Sequence, residues 1–92
     1  MVQDGSFTVY ADRYSYCGGE IKNGCLKIDS EVYGDDMYFG SEKHYIFTKS
    51  QTKKLFSLIG FEAFIAACRE GHLSWMERFL EEHDITPKTF CF

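Results

Sequence analysis

The sequence predicts an α+β domain in which an antiparallel sheet of three to five strands is covered by two or three helices. Apolar and polar residues alternate in the first half of the chain, where an Asn-Gly pair also separates two short apolar stretches. Near residue 48 the apolar period changes from 2 to 3.6 residues. Because 92 residues is the length of one compact domain, residues 1–92 are predicted to form a single domain.

The first strand is predicted over residues 7–12. Phe7, Val9 and Ala11 occupy alternate positions there, so their side chains would share one buried face. The pair Gly18-Gly19 follows without the spacing of a dinucleotide-binding motif, and it is interpreted as a turn.

The strongest local signal is a hairpin around Asn23-Gly24, the pair that best tolerates the two positive φ angles of a type I′ turn. A two-residue turn fixes the register, with Lys22 opposite Cys25, Ile21 opposite Leu26, and Glu20 opposite Lys27. In this register Glu20 and Lys27 are predicted to form a cross-strand ion pair on the exposed face.

A further strand is predicted over residues 42–48, with Tyr45 and Phe47 on one face and His44 and Ile46 on the other. Both faces carry apolar residues. This strand is therefore expected at the centre of the sheet, covered on both sides.

Two helices are predicted in the region after residue 48. The first has a cap at Thr48 or Ser50, and it ends where Gly60 can adopt a left-handed conformation. The second ends near Gly71, and its amphipathic stripe consists of Phe61, Phe64, Ile65 and Cys68.

A third helix is predicted from a capping box, in which the Ser74 hydroxyl accepts the Glu77 N–H and the Glu77 carboxylate reaches back to the Ser74 N–H. The buried stripe of this helix would consist of Met76, Phe79, Leu80 and His83. Residues 89–92 then alternate in polarity, which would permit a C-terminal edge strand.

The composition excludes several classes of function. Lys and Arg number 10 against 14 Asp and Glu, which argues against direct nucleic-acid binding because phosphate contacts need clustered basic residues. No apolar stretch reaches the ~18–20 residues of a membrane span, and the first residues do not resemble a signal peptide. We therefore expect a cytoplasmic protein without a membrane partner.

The four cysteines lie at positions 17, 25, 68 and 91 and contain no C-x-x-C spacing. Zinc knuckles and thioredoxin-type motifs need that spacing, and a reducing compartment disfavours disulfides. Four free thiols are therefore expected, with Cys25 and Cys68 as small core side chains.

Three further arrangements could carry chemistry. Glu20-Ile21-Lys22 has the E-x-K form of metal-dependent nucleases, in which Asp12 would be the second carboxylate. Cys68 and His72 could face one metal on a continuous helix, with Cys17, His83 or Cys91 as further ligands, and His83-Asp84 could supply a general base. An exposed hairpin, a core cysteine and a histidine at a helix end explain these residues more simply. No catalytic residue, metal ligand or cofactor is therefore predicted.

The segment of residues 29–42, called the acidic segment below, stands out in composition because it contains acids and aromatic residues but no Lys, Arg or His. It has no regular period, so residues 29–41 are predicted to form a loop or a short helical turn. Acids speed the encounter with a basic protein, and aromatic residues supply buried anchors. The predicted partner-binding residues are Asp29, Glu31, Tyr33, Asp35, Asp36, Tyr38, Phe39 and Glu42. The alternative is a solvated loop whose aromatic side chains pack back onto the core.

Two segments resemble small uncharacterised bacterial α+β proteins. Residues 42–55, EKHYIFTKSQTKKL, are similar to a strand that runs into a capped helix. Residues 79–85 followed by residues 90–92 are similar to an acidic helix, an isoleucine and a short aromatic tail, and the likeness covers roughly residues 25–92. By size and acidity the chain also resembles the immunity proteins of polymorphic, contact-dependent toxin systems, and anti-CRISPR proteins. This resemblance implies an inhibitor that binds another protein, and it assigns no functional residue.

The leading hypothesis is a non-enzymatic protein-binding module, an inhibitor or immunity protein that blocks a basic toxin or nuclease domain. One alternative is a self-assembling structural or regulatory domain that pairs through residues 90–92. The other is a metal-dependent, nuclease-like enzyme that uses Asp12, Glu20 and Lys22. The sequence is compatible with a monomer and with a homodimer.

Overall fold

The computed structural model describes residues 4–32 and 41–91, and it confirms the α+β fold. Within these residues one antiparallel sheet has its strands in chain order: β1 (Gly5–Ala11), β2 (Ser15–Lys22), β3 (Cys25–Val32), β4 (Ser41–Ile46) and β5 (Lys88–Cys91). Two helices, α1 (Lys49–Leu58) and α2 (Phe61–Glu82), lie between β4 and β5 in the chain. The tail strand that the sequence permits is therefore β5, at one edge of the sheet.

The β2–β3 hairpin has the predicted register. Asn23 and Gly24 have φ angles of 55° and 78°, as a type I′ turn requires. The strands pair Lys22 with Cys25, Ile21 with Leu26 and Glu20 with Lys27. The predicted ion pair between Glu20 and Lys27 is wrong, because the Lys27 ammonium is directed to Asp29, with Nζ 3.8 Å from Oδ1.

Both helices pack against the same face of the sheet, and the buried side chains of the strands point toward them. These buried residues are Val9, Cys17, Ile21, Leu26, Ile28, Ser30 and Tyr45. The opposite face carries Glu20, Asp29 and His44 and is called the open face below, because neither helix covers it. β4 is an interior strand between β3 and β5, and β3 rather than β4 is at the centre of the sheet. The expectation that β4 is covered on both sides is wrong for the described residues, since Ile46 on the open face is 39% exposed.

A β-bulge interrupts the pairing of β1 with β2 between Thr8 and Tyr10. The extra residue moves every following side chain to the other face. Tyr10 consequently packs on the core, and Ala11, predicted to be buried, is exposed. Arg69 of α2 donates its Nε–H to the Val9 carbonyl at 2.6 Å, so α2 satisfies a backbone acceptor at the bulge.

Gly18 and Gly19 lie in the middle of β2, so the interpretation of this pair as a turn is wrong. A Cβ at Gly18 would lie 2.3 Å from the Tyr16 hydroxyl oxygen, and a Cβ at Gly19 would lie 2.8 Å from Cζ of Phe7. Each glycine thus makes room for one aromatic side chain, Tyr16 on the open face and Phe7 on the core face.

α1 begins with a capping box at Thr48, one of the two predicted caps. The Thr48 hydroxyl accepts the Gln51 N–H at 3.1 Å, and the Gln51 side chain accepts the Thr48 N–H at 2.9 Å. One turn later the buried Thr52 hydroxyl accepts the Leu26 N–H at 3.0 Å. This bond joins α1 to β3.

The sequence predicts two helices separated near Gly71. In the structure both belong to α2, which is interrupted at His72, where φ is 57° and ψ is −162°. The capping box predicted at Ser74 is wrong, because its hydroxyl donates to the Gly71 carbonyl at 3.1 Å and Glu77 reaches β4 instead. Gly60 has φ −63° at the beginning of α2, so its predicted left-handed conformation is wrong as well. In the part of the chain that is described, no helix is both long and apolar enough to span a bilayer.

Candidate functional site

Three residues of the acidic segment share the open face. Asp29 and Glu31 lie on β3, Glu42 lies on β4, and Glu31 is directly opposite Glu42 in the strand pairing. Residues 29–32 therefore belong to a strand, and the loop predicted there is wrong for this part of the segment. Like charges in directly opposite positions destabilise a sheet, so sheet formation alone does not favour this pair.

The remaining five predicted partner-binding residues lie outside the described residues: Tyr33, Asp35, Asp36, Tyr38 and Phe39. The strands thus bring together three of the predicted residues. Asp29 and Glu31 are two residues apart on β3, so their side chains lie on the same face. Glu42 joins this face because it lies opposite Glu31 when β3 and β4 pair.

His44, to which the sequence analysis gave no role, lies among these acids. It is opposite Asp29, its Nδ1 contacts Asp29 Oδ1, and its Nε2 lies 3.4 Å from Glu42 Oε2. The hydrogen bond with Asp29 raises the pKa of His44, burial opposes this effect, and Glu42 raises the pKa further. The open face therefore holds an imidazolium between two carboxylates over a wider pH range than an isolated histidine would.

Protonation of His44 is expected to stabilise the fold. Its pKa is higher in the folded protein than the ~6.5 of an unfolded chain, so the stabilisation is complete below about pH 6.5 and is lost as the pH rises through the folded-state pKa. We expect the free energy of unfolding in urea to fall as the pH rises above about 6.5, and His44→Gln to flatten this slope. An NMR titration midpoint of the His44 ring at or below that of an unfolded peptide would contradict the prediction.

A shallow groove with a volume of about 500 Å³ lies on the open face, where β1, β2 and β3 meet. Its lining includes Ser6 and Thr8 from β1, Tyr16 and Glu20 from β2, and Asp29 from β3. Gly18 lies opposite Thr8 of β1 on one side and opposite Asp29 of β3 on the other. Because glycine has no side chain, the space between Thr8 and Asp29 stays open. Hydroxyl and carboxylate oxygens dominate the lining, which suits a cation or a donor of several hydrogen bonds.

A second charged cluster lies on the helix-covered face. Glu77 of α2 accepts hydrogen bonds from Lys43 Nζ, at 2.8 Å, and from the Tyr45 hydroxyl. These two bonds lower the pKa of Glu77, while burial is the main cause that raises the pKa of Tyr45. The cluster attaches the second half of α2 to β4, and it lies on the opposite side of the sheet from the groove.

The residues of the nuclease hypothesis, Asp12, Glu20 and Lys22, lie before β2 and near its far end. Asp12 lies in the β1–β2 turn, where its carboxylate accepts the Tyr14 and Ser15 N–H groups at 2.8 Å each. These backbone hydrogen bonds lower the pKa of Asp12 and occupy Oδ1. Glu20 lies toward the other end of β2, so the strand separates the two carboxylates.

The His72 and His83 rings and the buried thiols of Cys17 and Cys68 are used in packing. The His72 ring packs edge-on against Tyr10, with centroids 5.0 Å apart, and the His83 ring lies 4.4 Å from Phe79. All four cysteines are free, and burial raises the pKa of Cys17 and of Cys68 to about 12, which keeps both thiols neutral. Among residues 4–32 and 41–91, no three His, Cys, Asp or Glu side chains are grouped so that they could hold a metal ion.

No family model, curated protein or solved structure matches this chain significantly.

Proposed function

We propose that this chain is a non-enzymatic protein-binding module, an inhibitor or immunity protein that covers a basic site on a nuclease-like partner through its open face. The observation that carries the proposal is that Asp29, Glu31 and Glu42 share the face that neither helix covers. A basic partner is the complement of such a surface, since opposite charges speed association and select against other partners.

Apolar side chains lie beside the acids. On the open face Phe90 is opposite His44 and is 44% exposed, and Ile46 is 39% exposed. Protein interfaces combine a few apolar anchors with a polar rim. The open face has both parts within the described residues.

Charge reversal tests the proposal. Immobilised wild-type protein, Glu42→Lys and Glu70→Lys are incubated with lysate of the native source at low and at high salt, and the captured proteins are identified by mass spectrometry. We expect a basic protein that is released by salt, and an affinity for Glu42→Lys at least about tenfold weaker by calorimetry. Glu70→Lys, exposed on α2, makes the same charge change on another surface and is expected to bind like wild type.

The same variant separates lost binding from lost folding. Glu42→Lys places opposite charges at a directly paired position and removes the contact of Glu42 with His44. These effects oppose each other on an exposed surface, so the free energy of unfolding is expected to stay within about 1 kcal/mol of wild type. A purified basic partner that binds Glu42→Lys as tightly as wild type would exclude the open face as the docking surface.

A self-assembling domain is the second candidate, and the exposure of β5 favours it. β5 is an edge strand, and all of its residues are exposed. An exposed edge can pair with the same edge of a second copy. Light scattering distinguishes the candidates, because a dimer that persists on dilution supports self-assembly and a monomer supports the inhibitor.

A further inference from the structure

We propose that the groove on the open face seats an arginine side chain, with its guanidinium between Glu20 and Asp29 and beside Tyr16. The inference rests on the proposed function, because the arginine belongs to the basic partner. The arginine side chain is the chemical group that the partner would insert into the groove.

Glu20 supplies the first carboxylate. Its side chain is exposed and makes no hydrogen bond or ion pair with any residue in the described ranges, although Lys27 is directly opposite. The Lys27 ammonium lies 3.8 Å from Asp29 instead, and such a long, exposed pair contributes little. Glu20 thus brings to the groove a carboxylate that no cation of the described residues pairs with.

Asp29 supplies the second carboxylate. Its contacts with Lys27 and His44 both involve Oδ1, so among the described contacts Oδ2 is left for an outside donor. Gly18 is opposite Asp29, which makes Glu20 and Asp29 diagonal neighbours with a separation of roughly 7–8 Å. A group that donates hydrogen bonds from two edges can contact both carboxylates across this gap.

The other walls favour the same ligand. The groove contains the hydroxyls of Ser6, Thr8 and Tyr16, all of which can accept hydrogen bonds. A guanidinium has five N–H donors in a rigid plane and no acceptor, and it stacks on aromatic rings such as that of Tyr16. A lysine ammonium has three donors on one atom and reaches fewer of these oxygens at once.

An NMR titration of the purified protein with N-acetyl-arginine amide tests the groove directly. We expect saturable shift changes in the amide signals of Gly18, Gly19 and Glu20. The citrulline amide keeps the shape and lacks the charge, so its affinity is expected to be at least about tenfold weaker. The lysine amide is expected to bind more weakly than the arginine amide, because it lacks the planar fork.

Variants connect the signal to the groove. Glu20→Gln is expected to weaken binding of the arginine amide at least about fivefold, whereas Lys27→Met, which removes the competing cation, is expected to strengthen it. Glu62→Gln on the exposed surface of α2 is the matched control and is expected to leave the affinity unchanged. Equal affinity for the arginine and citrulline amides, or unchanged affinity in Glu20→Gln, would overturn the proposal.

The two proposals fail in different ways. If a basic partner is captured through Glu42 but the arginine amide leaves the groove signals unmoved, the arginine site is wrong and the docking surface stands. If the arginine amide binds and depends on Glu20, but the lysate yields no basic partner, the groove stands and the inhibitor function loses its support.

Discussion

Phe64→Ala is expected to lower the free energy of unfolding by about 3–5 kcal/mol, a large share of the total stability of a domain of this size. Phe64 has 0% exposure and lies at the centre of an aromatic cluster, with ring centroids 5.8 Å from Phe56 and 6.1 Å from Trp75. Alanine leaves a cavity that these large rings cannot fill without losing their own contacts, which Phe56 makes with Phe61 and Trp75 makes with Phe79. Urea unfolding followed by circular dichroism measures the loss.

The matched control is Phe90→Ala, which deletes the same side chain from a position that is 44% exposed on β5. Its cost is expected to be about 1–2 kcal/mol, because nearly half of the side chain is already in contact with water. A similar cost for the two variants would contradict the assignment of Phe64 to the core.

Gly19→Ala is expected to cost about 2–3 kcal/mol, although alanine ordinarily improves on glycine in a strand. The added Cβ would lie 2.5 Å from the Lys27 carbonyl oxygen and 2.8 Å from Cζ of Phe7. The first of these atoms belongs to the backbone of β3, so relief requires β2 and β3 to separate. Thermal unfolding measures the effect as a lower midpoint, with about 4–8 °C for each kcal/mol.

Gly5→Ala is the control for Gly19→Ala, since it lies in β1 with no atom within 4 Å of the added Cβ. It is expected to be neutral or to stabilise the protein by up to about 1 kcal/mol. Gly18→Ala should fall between the two, because the close atom is the hydroxyl end of Tyr16, which can swing away. Equal midpoints for the Gly19 and Gly5 variants would show that the approach of Phe7 and β3 is not as tight as described.

The parts of the fold that the sequence predicts are those set by neighbouring residues. Asn23-Gly24 determines both the turn and the register of the hairpin, because the positive φ angles belong to these residues themselves. The beginning of α1 is similar, since Thr48 and Gln51 lie three residues apart and cap each other.

The errors occur where a distant residue competes with a local one. Glu77 fits a capping box by sequence, but Lys43 and Tyr45 of β4 give it stronger partners. Gly18-Gly19 fits a turn by composition, and the need for glycine at position 19 becomes visible only when Phe7 of β1 and the Lys27 carbonyl of β3 approach it in the sheet. Neither partner is visible in a local pattern.

The candidate site likewise contains residues that the sequence indicates and residues that only the pairing of strands brings together. Composition alone identifies Asp29, Glu31 and Glu42 as acids of one segment, and strand pairing then places them on one face. His44 gains its role only when β4 lies beside β3. The sequence between these two strands contains no turn signal as clear as Asn23-Gly24. The groove depends on three strands at once, so no single stretch of sequence indicates it.

The strand order also has a consequence for synthesis. β1 to β4 pair with their immediate neighbours in the chain, whereas β5 reaches β4 only after a connection of about 40 residues that contains both helices. At ~5–20 residues per second a ribosome needs about 2–8 s to make this connection. During that interval the outer edge of β4 has unpaired backbone groups and offers a template to other nascent strands. Chaperone dependence and co-translational mispairing should therefore be greatest between the emergence of β4 and that of β5.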